Sequence, residues 1–341
     1  MMNDPLRLLV TGFEPFGEHT INISADVAKA LHGLVALPDP VTGNESLIHL
    51  ETAILSVDEP GSKAIAGRLE QGEQWDAIVH LGLCESCQRP RLERLAQNRL
   101  DMRIADNQGR QLHQQYLDEG GHQGCPVDVS TWNPDHFPTR FDQSFDAGAF
   151  VCNETYYRTL SALGLTLASR TRVPCLFVHL PSAENTPLDV AVEFVKHTCA
   201  HLLHPPPSIP VVAACMMDNE GRVLVAQRHE GGTDPGCWEF PGGKCRQREP
   251  LAEALMREMK EELNLDVEPS NLLGVWLRTV GNQTFSVHLL QCSSTNGLTG
   301  LHLSDHARVE WVHPDSVDER RWAGRDGEMM TFLRTVPQIH V

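Results

Sequence analysis

The chain is short of positive charge: 28 Lys and Arg residues stand against 45 Asp and Glu, a formal net charge of -17 at pH 7. A protein that coats DNA or RNA neutralises phosphates with Lys and Arg, so this balance excludes a nucleic-acid polymer as partner and leaves small nucleotides open. No run of residues is long and apolar enough to span a bilayer, which excludes a membrane helix. The start, MMNDPLRLLVTGFEPFG, has no basic segment followed by an apolar stretch and a small-residue cleavage site, so no secretory leader is expected and the expected location is the cytoplasm. Ten cysteines in 341 residues are too few for a disulfide scaffold, and reduced thiols fit a cytosolic home. Cys84 and Cys87 form a CxxC pair, but no second pair completes a zinc site, so a structural or incidental role is expected. His197, Cys199, His201 and His204 cluster near the end of a predicted helix and get the same reading. There is no internal repeat, and self-association into a homo-oligomer is left open.

What is present suffices for two domains with their own cores. The segment HPPPSIP, residues 204 to 210, cannot pair regularly and acts as a semi-rigid spacer. It follows an amphipathic helix from about Pro187 to Leu203 and precedes a strand from Val211 to Met216. The expected division is therefore residues 5–203, a linker at 204–210, and residues 211–341. In the first part, apolar strands Leu8 to Thr11, Ala77 to Leu83 and Cys175 to Leu180 alternate with helices near Ser24 to Leu31, Lys63 to Glu70 and Asn153 to Leu163. Such alternation indicates a layered α/β domain.

The densest chemistry lies in GKCRQREPLAEALMREMKEELNL, from Gly243 to Leu265. Leu251, Leu255 and Met259 recur every four positions and give a helix a buried stripe. Glu258, Glu261 and Glu262 are then crowded together. Like charges three or four residues apart repel by about 0.2 to 0.5 kcal/mol per pair, and a hard divalent cation reverses that sign. The stretch resembles the Nudix box: Gly243, Glu249, Arg257, Glu258, Met259, Glu261, Glu262 and Leu265 fall in register, with Asn264 where the family has glycine. Asn tolerates the left-handed backbone of a helix C-terminus, so the turn is expected to survive. Pro250 suits the first helical turn.

The resemblance, to MutT-type Nudix hydrolases over about Ile209 to Arg334, implies an α/β/α sandwich that needs Mg²⁺ or Mn²⁺ and releases pyrophosphate from nucleoside triphosphates. It implies Glu258, Glu261 and Glu262 as metal ligands or water activators, with the Gly242 carbonyl and Asp305 as further ligands. Arg257, four residues after Glu253 and four before Glu261, is placed to hold carboxylates in position. Arg228 and Phe240 match positions near the nucleobase, and Asp326 aligns with an Asn that reads an oxidised purine. An ionised acid accepts hydrogen bonds without donating, which leaves the substrate open between oxidised deoxyguanosine and cytidine triphosphates.

In the first domain, Cys152 in GAFVCNETYYRTL stands where an apolar approach gives way to a helical pattern. The positive end of the helix dipole favours thiolate there. His179, in PCLFVHLP, lies at the end of an apolar strand, where parallel sheets present functional groups. The stretch TGFEPFGEHTINIS, together with GAFVCN and FVHLP, resembles pyroglutamyl peptidase type I over about Leu8 to Leu203, with Ile23 where that family has proline. The resemblance implies a three-layer α/β/α fold and no cofactor. It makes Cys152 the nucleophile, His179 the general base, and Glu93, in Leu92-Glu93-Arg94, the acid that orients the imidazole. It also implies a flat slot for the pyrrolidone ring walled by Phe13, Phe16 and Phe150, and Arg103 as an oxyanion-stabilising residue. The loop Gly82-Leu83-Cys84-Glu85-Ser86-Cys87 departs from the glycine-rich loop common in bacterial relatives. The expectation is a fusion of two hydrolases acting on pyroglutamyl peptides and small nucleotides; the rival is a Nudix enzyme with a non-catalytic binding or oligomerisation domain.

Overall fold

A computed structural model of the chain describes residues 6–40, 42–164, 173–231 and 234–336. Pro5 and residues 337–341, at the outer limits of the two expected domains, lie outside the described residues. The chain divides into two compact units. The first holds the residues up to Glu119, Cys125–Leu163 and the stretch ending at Pro206; the second holds Gly120–Gly124 and the described residues from Pro207 onward.

The first unit is built on a seven-stranded sheet of β1 (Leu6–Phe13), β2 (Gly33–Pro38), β3 (Glu45–Leu55), β4 (Ala77–Leu83), β5 (Arg91–Glu93), β8 (Asp142–Ser144) and β9 (Cys175–Leu180), in the order β2-β3-β1-β4-β9-β5-β8. The short strands β6 (Leu95–Ala96) and β7 (Gln123–Gly124) lie outside that sheet. Strands β3, β1, β4 and β9 run parallel. Because side chains alternate along a strand, the continuous apolar runs of these strands feed both faces of the sheet. Leu8, Val10, Val79, Leu81, Leu176 and Val178 pack under α1 (Ile23–Ala30) and α4 (Leu188–Leu203), whereas Leu9, Ile78 and Phe177 pack under α2 (Glu59–Glu70) and α3 (Val151–Leu163). Three layers result.

The opening motif joins strand to helix. Asn22 caps α1, its Oδ1 accepting from the Ser24 N–H at 3.1 Å, and Ser24 Oγ accepts from the Phe13 N–H at 3.0 Å. Gly12 is required by this junction, because a Cβ there would stand 2.3 Å from the Ser24 carbonyl oxygen. Ile23, in place of proline, is buried at the helix start. His197 and His201 of the histidine cluster pack their rings on Phe137 and Cys199 is buried, so this cluster serves packing.

The second unit has a four-stranded sheet, β13-β10-β15-β14, and a three-stranded sheet, β12-β11-β16. The strands are β10 (Ile209–Met216), β11 (Val223–Arg228), β12 (Trp238–Glu239), β13 (Gly242–Lys244), β14 (Val267–Val280), β15 (Gln283–Ser294) and β16 (His306–Val312). Helix α5 (Leu251–Leu263) buries Leu251, Ala254, Leu255, Met259 and Leu263 against Val212, Ala214, Leu290 and Cys292. Each fully buried leucine of that stripe contributes about 1.5–3 kcal/mol. Helix α6 (Asp326–Thr335) packs Phe332 edge-on to Trp276, with ring centroids 5.5 Å apart. Asn264 adopts φ 55° and ψ 32°, and its N–H donates to the Lys260 carbonyl, so the turn is kept without glycine.

Two details differ from the sequence reading. Strand β10 begins at Ile209, inside the segment expected to be linker; Pro210 pairs opposite Ser286 and offers its carbonyl to the Cys245 N–H. Proline can stand near a strand's start because only its missing N–H is lost to the ladder. Pro250 is the residue that caps α5 rather than part of its first turn.

Candidate active sites

The C-terminal ends of the parallel strands in the first unit carry the candidate peptidase site. His179 of β9 lies in register beside Gly82 of β4, and β5 runs antiparallel to β9 with Glu93 opposite Phe177. Glu93 is fully buried and its Oε1 lies 2.7 Å from His179 Nδ1. Cys152 stands in the first turn of α3, half-buried, and its thiol interacts with the same imidazole. Thiol, imidazole and carboxylate are therefore linked in one chain.

Helix α3 is held in place by its own polar residues. Asn153 accepts from the Gln97 N–H and donates to the Gln97 and Arg99 carbonyls, while the Tyr156 hydroxyl donates to the Glu93 carbonyl at 3.1 Å. Glycine is needed at position 82, where a Cβ would stand 2.8 Å from the Phe177 ring and 3.1 Å from Cys152 Sγ.

Two buried histidines in this sheet show how partners decide protonation. His80, between the Thr11 and Thr159 hydroxyls, is pushed down to about 3 by burial and stays neutral. Burial pulls His179 the same way, but its hydrogen bonds and charge interactions with Cys152 and Glu93 outweigh that effect and raise it to about 9. At neutral pH the imidazole beside Cys152 is therefore held in its protonated form.

The slot residues separate into two groups. Phe16 and Phe150 are half-buried with ring centroids 6.0 Å apart, whereas Phe13 is 2% exposed and packs on Phe177 in the core. Arg103 is exposed; the Asp101 N–H donates to the Ala149 carbonyl, which ties this stretch to the loop leading into Phe150. The Cys84–Cys87 pair is a disulfide, where a reducing compartment would leave two thiols.

In the second unit, Arg257 is the centre of the carboxylate cluster. Its guanidinium grips Glu249 at 2.7 and 2.8 Å and also reaches Glu258 at 2.7 Å and Glu261 at 3.1 Å. The grip falls on Glu249 rather than on Glu253. Glu249 sits just before the helix, where i,i+4 spacing does not find it. Glu249 is held down at about 2, chiefly by that hydrogen bond.

Gly242 has φ 148°, and a Cβ there would stand 2.1 Å from the Val212 carbonyl oxygen. Its N–H donates to Glu262 Oε2 at 3.2 Å. A Cβ at Gly243 would lie about 2.5 Å from the Glu258 carboxylate, so this glycine admits Glu258 to the loop. Burial raises Glu262 to about 7. Asp305 is exposed, and the preceding Ser304 bonds the Glu261 and Glu262 carbonyls, which brings the Asp305 loop to the end of α5.

The nucleobase candidates lie on a second cluster. Arg228 is ion-paired to Glu239 at 2.5 Å, and His306 Nε2 lies 3.1 Å from the other Glu239 oxygen. Burial works to raise the Glu239 carboxyl, but hydrogen bonds from His306 and Arg228 hold it below its ordinary value. Phe240 is buried beside Trp322, and its N–H donates to Asp326 Oδ2 at 2.8 Å. Lost hydration pushes the Asp326 carboxyl up to about 7, against the opposing pull of that N–H. Sequence reasoning missed Glu239 and His306. They stand 67 residues apart, and no local pattern pairs them.

The model of the pyroglutamyl peptidase family matches residues 6–193, more than half the chain. The chain belongs to the pyroglutamyl peptidase family. Its second unit is a Nudix domain, matched over residues 207–333. The chain is 32% identical over 196 residues to a pyrrolidone-carboxylate peptidase of Deinococcus radiodurans, covering 54% of this chain and 83% of that one. It is 29% identical over 106 residues to the CTP pyrophosphohydrolase of Escherichia coli, covering 31% of this chain and 77% of that one. A solved structure of a mutant pyrrolidone carboxyl peptidase from Pyrococcus furiosus aligns with 59% of the chain at a TM-score of 0.51 and 23% identity, which shows the shared fold. The protein is thus a hydrolase with a cysteine-peptidase unit and a Nudix unit, and no helix among the described residues is long and apolar enough to cross a membrane.

Proposed function

We propose that the chain is a bifunctional enzyme that removes N-terminal pyroglutamate at Cys152 and releases pyrophosphate from a nucleoside triphosphate at the α5 carboxylates. The observation that carries the first half is the buried Glu93–His179 hydrogen bond at 2.7 Å, with Cys152 on the same imidazole. A non-catalytic binding domain would have no need to keep a buried carboxylate, an imidazole and a half-exposed thiol in that order.

In the proposed reaction the Cys152 thiolate attacks the pyroglutamyl carbonyl carbon. The C–N bond breaks, and the departing amine takes the proton from the His179 imidazolium. A thioester remains. His179, now neutral, takes a proton from water, whose oxygen attacks the thioester and frees pyroglutamate and the thiol. Glu93 keeps the imidazole oriented, Phe16 and Phe150 seat the ring with Phe13 behind them, and Arg103 neutralises the oxyanion.

In the Nudix unit the proposed residues supply oxygen donors, the set that Mg²⁺ or Mn²⁺ prefers. Among the described residues no three metal-binding side chains form a ready cluster, since Arg257 bridges Glu258 and Glu261. We assign Glu258, Glu261, Glu262, the Gly242 carbonyl and Asp305 to hold the cation together with the triphosphate. A half-buried Glu262 raised to about 7 fits a group whose charge is completed by a cation. When bound, the ion neutralises phosphate charge and polarises water. Arg228, Phe240 and Asp326 then face the base. An Asp326 carboxyl near 7 is partly protonated at neutral pH and can donate as well as accept, which supports a guanine-type or cytosine nucleotide as substrate. The Escherichia coli relative named as a CTP pyrophosphohydrolase supports the cytidine member of that pair.

The test is a parallel assay of the intact protein on a pyroglutamyl amide and a panel of nucleoside triphosphates, including oxidised deoxyguanosine and cytidine. Monophosphate plus pyrophosphate is the expected nucleotide product. Amide release should follow the His179 titration: because its value is raised to about 9, the imidazolium and the stability it brings are fully present below its ordinary value of 6.5 and disappear as pH rises through about 9. kcat/KM should hold through neutral pH and fall above about 9. An alkaline limb near 6.5 would contradict the proposed pairing.

A further inference from the structure

The loop after β4 is pinned at both ends and leaves one acid exposed. The Cys84–Cys87 disulfide closes it across four residues. The Cys84 N–H donates to the Leu180 carbonyl at 2.8 Å, Asn185 Nδ2 donates to the Cys87 carbonyl at 3.3 Å, and Cys87 is buried. The Glu85 side chain between them is 68% exposed, and its Oε1 lies 2.5 Å from His19 Nε2.

His19 leads back to the slot. Its ring centroid is 5.4 Å from that of Phe16, and Phe16 is 6.0 Å from Phe150, two residues before Cys152. On the other side, Glu85 follows three residues after Gly82, whose Cβ position would touch Cys152 Sγ. The acid therefore stands on the rim of the slot, carried by the strand end that flanks the thiol and tied to the ring that flanks the substrate.

Pyroglutamate is a lactam, so it brings no free amine and no charge into such a slot. The charges a substrate can offer at the rim belong to the leaving portion, the residue that follows the ring. We propose that Glu85 is a specificity-determining residue of the peptidase site, favouring a cationic side chain immediately after pyroglutamate and disfavouring an acidic one. This rests on the peptidase reading of Cys152, His179 and Glu93. Electrostatic selection at an exposed rim is modest, about 2- to 5-fold per charge, and it shrinks with salt.

The experiment measures kcat/KM of the intact protein for three pyroglutamyl peptides of equal length with Lys, Ala or Glu in second position, at low and at high salt. The lysyl-to-glutamyl ratio should exceed one in the wild type, drop by about 3-fold in Glu85→Gln, reverse in Glu85→Lys, and move toward one as salt is added. Glu85 is exposed, and Gln preserves its shape, so folding does not confound the comparison. If the alanyl peptide is cleaved while the ratio is the same in wild type and Glu85→Lys, the specificity role is overturned and the peptidase reading stands. If the wild type cleaves none of the three, the peptidase reading falls and the role of Glu85 with it.

Discussion

Cys152→Ser should reduce amine release from a pyroglutamyl amide by at least about 10³-fold while leaving pyrophosphate release unchanged. The size follows from chemistry. A serine hydroxyl is a far weaker nucleophile than the thiolate form of cysteine, which is the reacting species of the proposed mechanism. Removing one member of a nucleophile–base unit costs nearly as much as removing the unit, so the residual rate reflects binding alone. Serine differs from cysteine by one atom at a half-buried position, so the thermal unfolding midpoint should hold. Equal amide rates in wild type and variant would remove Cys152 from the mechanism.

The second large effect is expected at the carboxylate helix. Glu258→Gln and Glu261→Gln should each depress pyrophosphate release by about 10²-fold or more and raise the Mg²⁺ concentration needed for half-maximal rate. Loss of groups that merely support a metal ligand already costs 10- to 100-fold, and these residues are proposed as ligands themselves. Each substitution relieves repulsion within the cluster while weakening one ion pair of Arg257, which keeps its grip on Glu249, so any loss of stability should be small beside the loss of rate. A rate loss with unchanged metal dependence would assign these residues to packing. Diphosphate as first product, or full turnover in chelator, would remove the Nudix mechanism altogether.

Much of this arrangement is legible in the sequence, for a physical reason. Strands β4 and β9 are read residue for residue, because strands buried on both faces are short unbroken apolar runs with sharp ends. Helix α5 declares itself through Leu251, Leu255 and Met259, and its carboxylates through their crowding. The long hairpin of β14 and β15 has no such signature, since its buried and exposed residues follow no strict alternation and its register shifts twice, at Pro269/Leu272 and Leu272/Gly274. Contacts between distant residues are hidden for the same reason. Glu239 meets His306, and Glu85 meets His19, only after the chain has folded back on itself. The bond between Cys84 and Cys87 is visible as a spacing, but spacing does not state whether two thiols are joined.

The claim of two independent active sites on one chain is tested most directly by selective inactivation of a single protein stock. Every free cysteine except Cys152 is buried, so a small alkylating agent should react at Cys152 first. Alkylated protein should release no amine from a pyroglutamyl amide and should still release pyrophosphate from its nucleoside triphosphate at the untreated rate. Chelator should produce the opposite pattern, with amide cleavage intact and pyrophosphate release lost. If alkylation and chelation silence the same activity, or if untreated protein performs only one of the two reactions, the two-site account is contradicted.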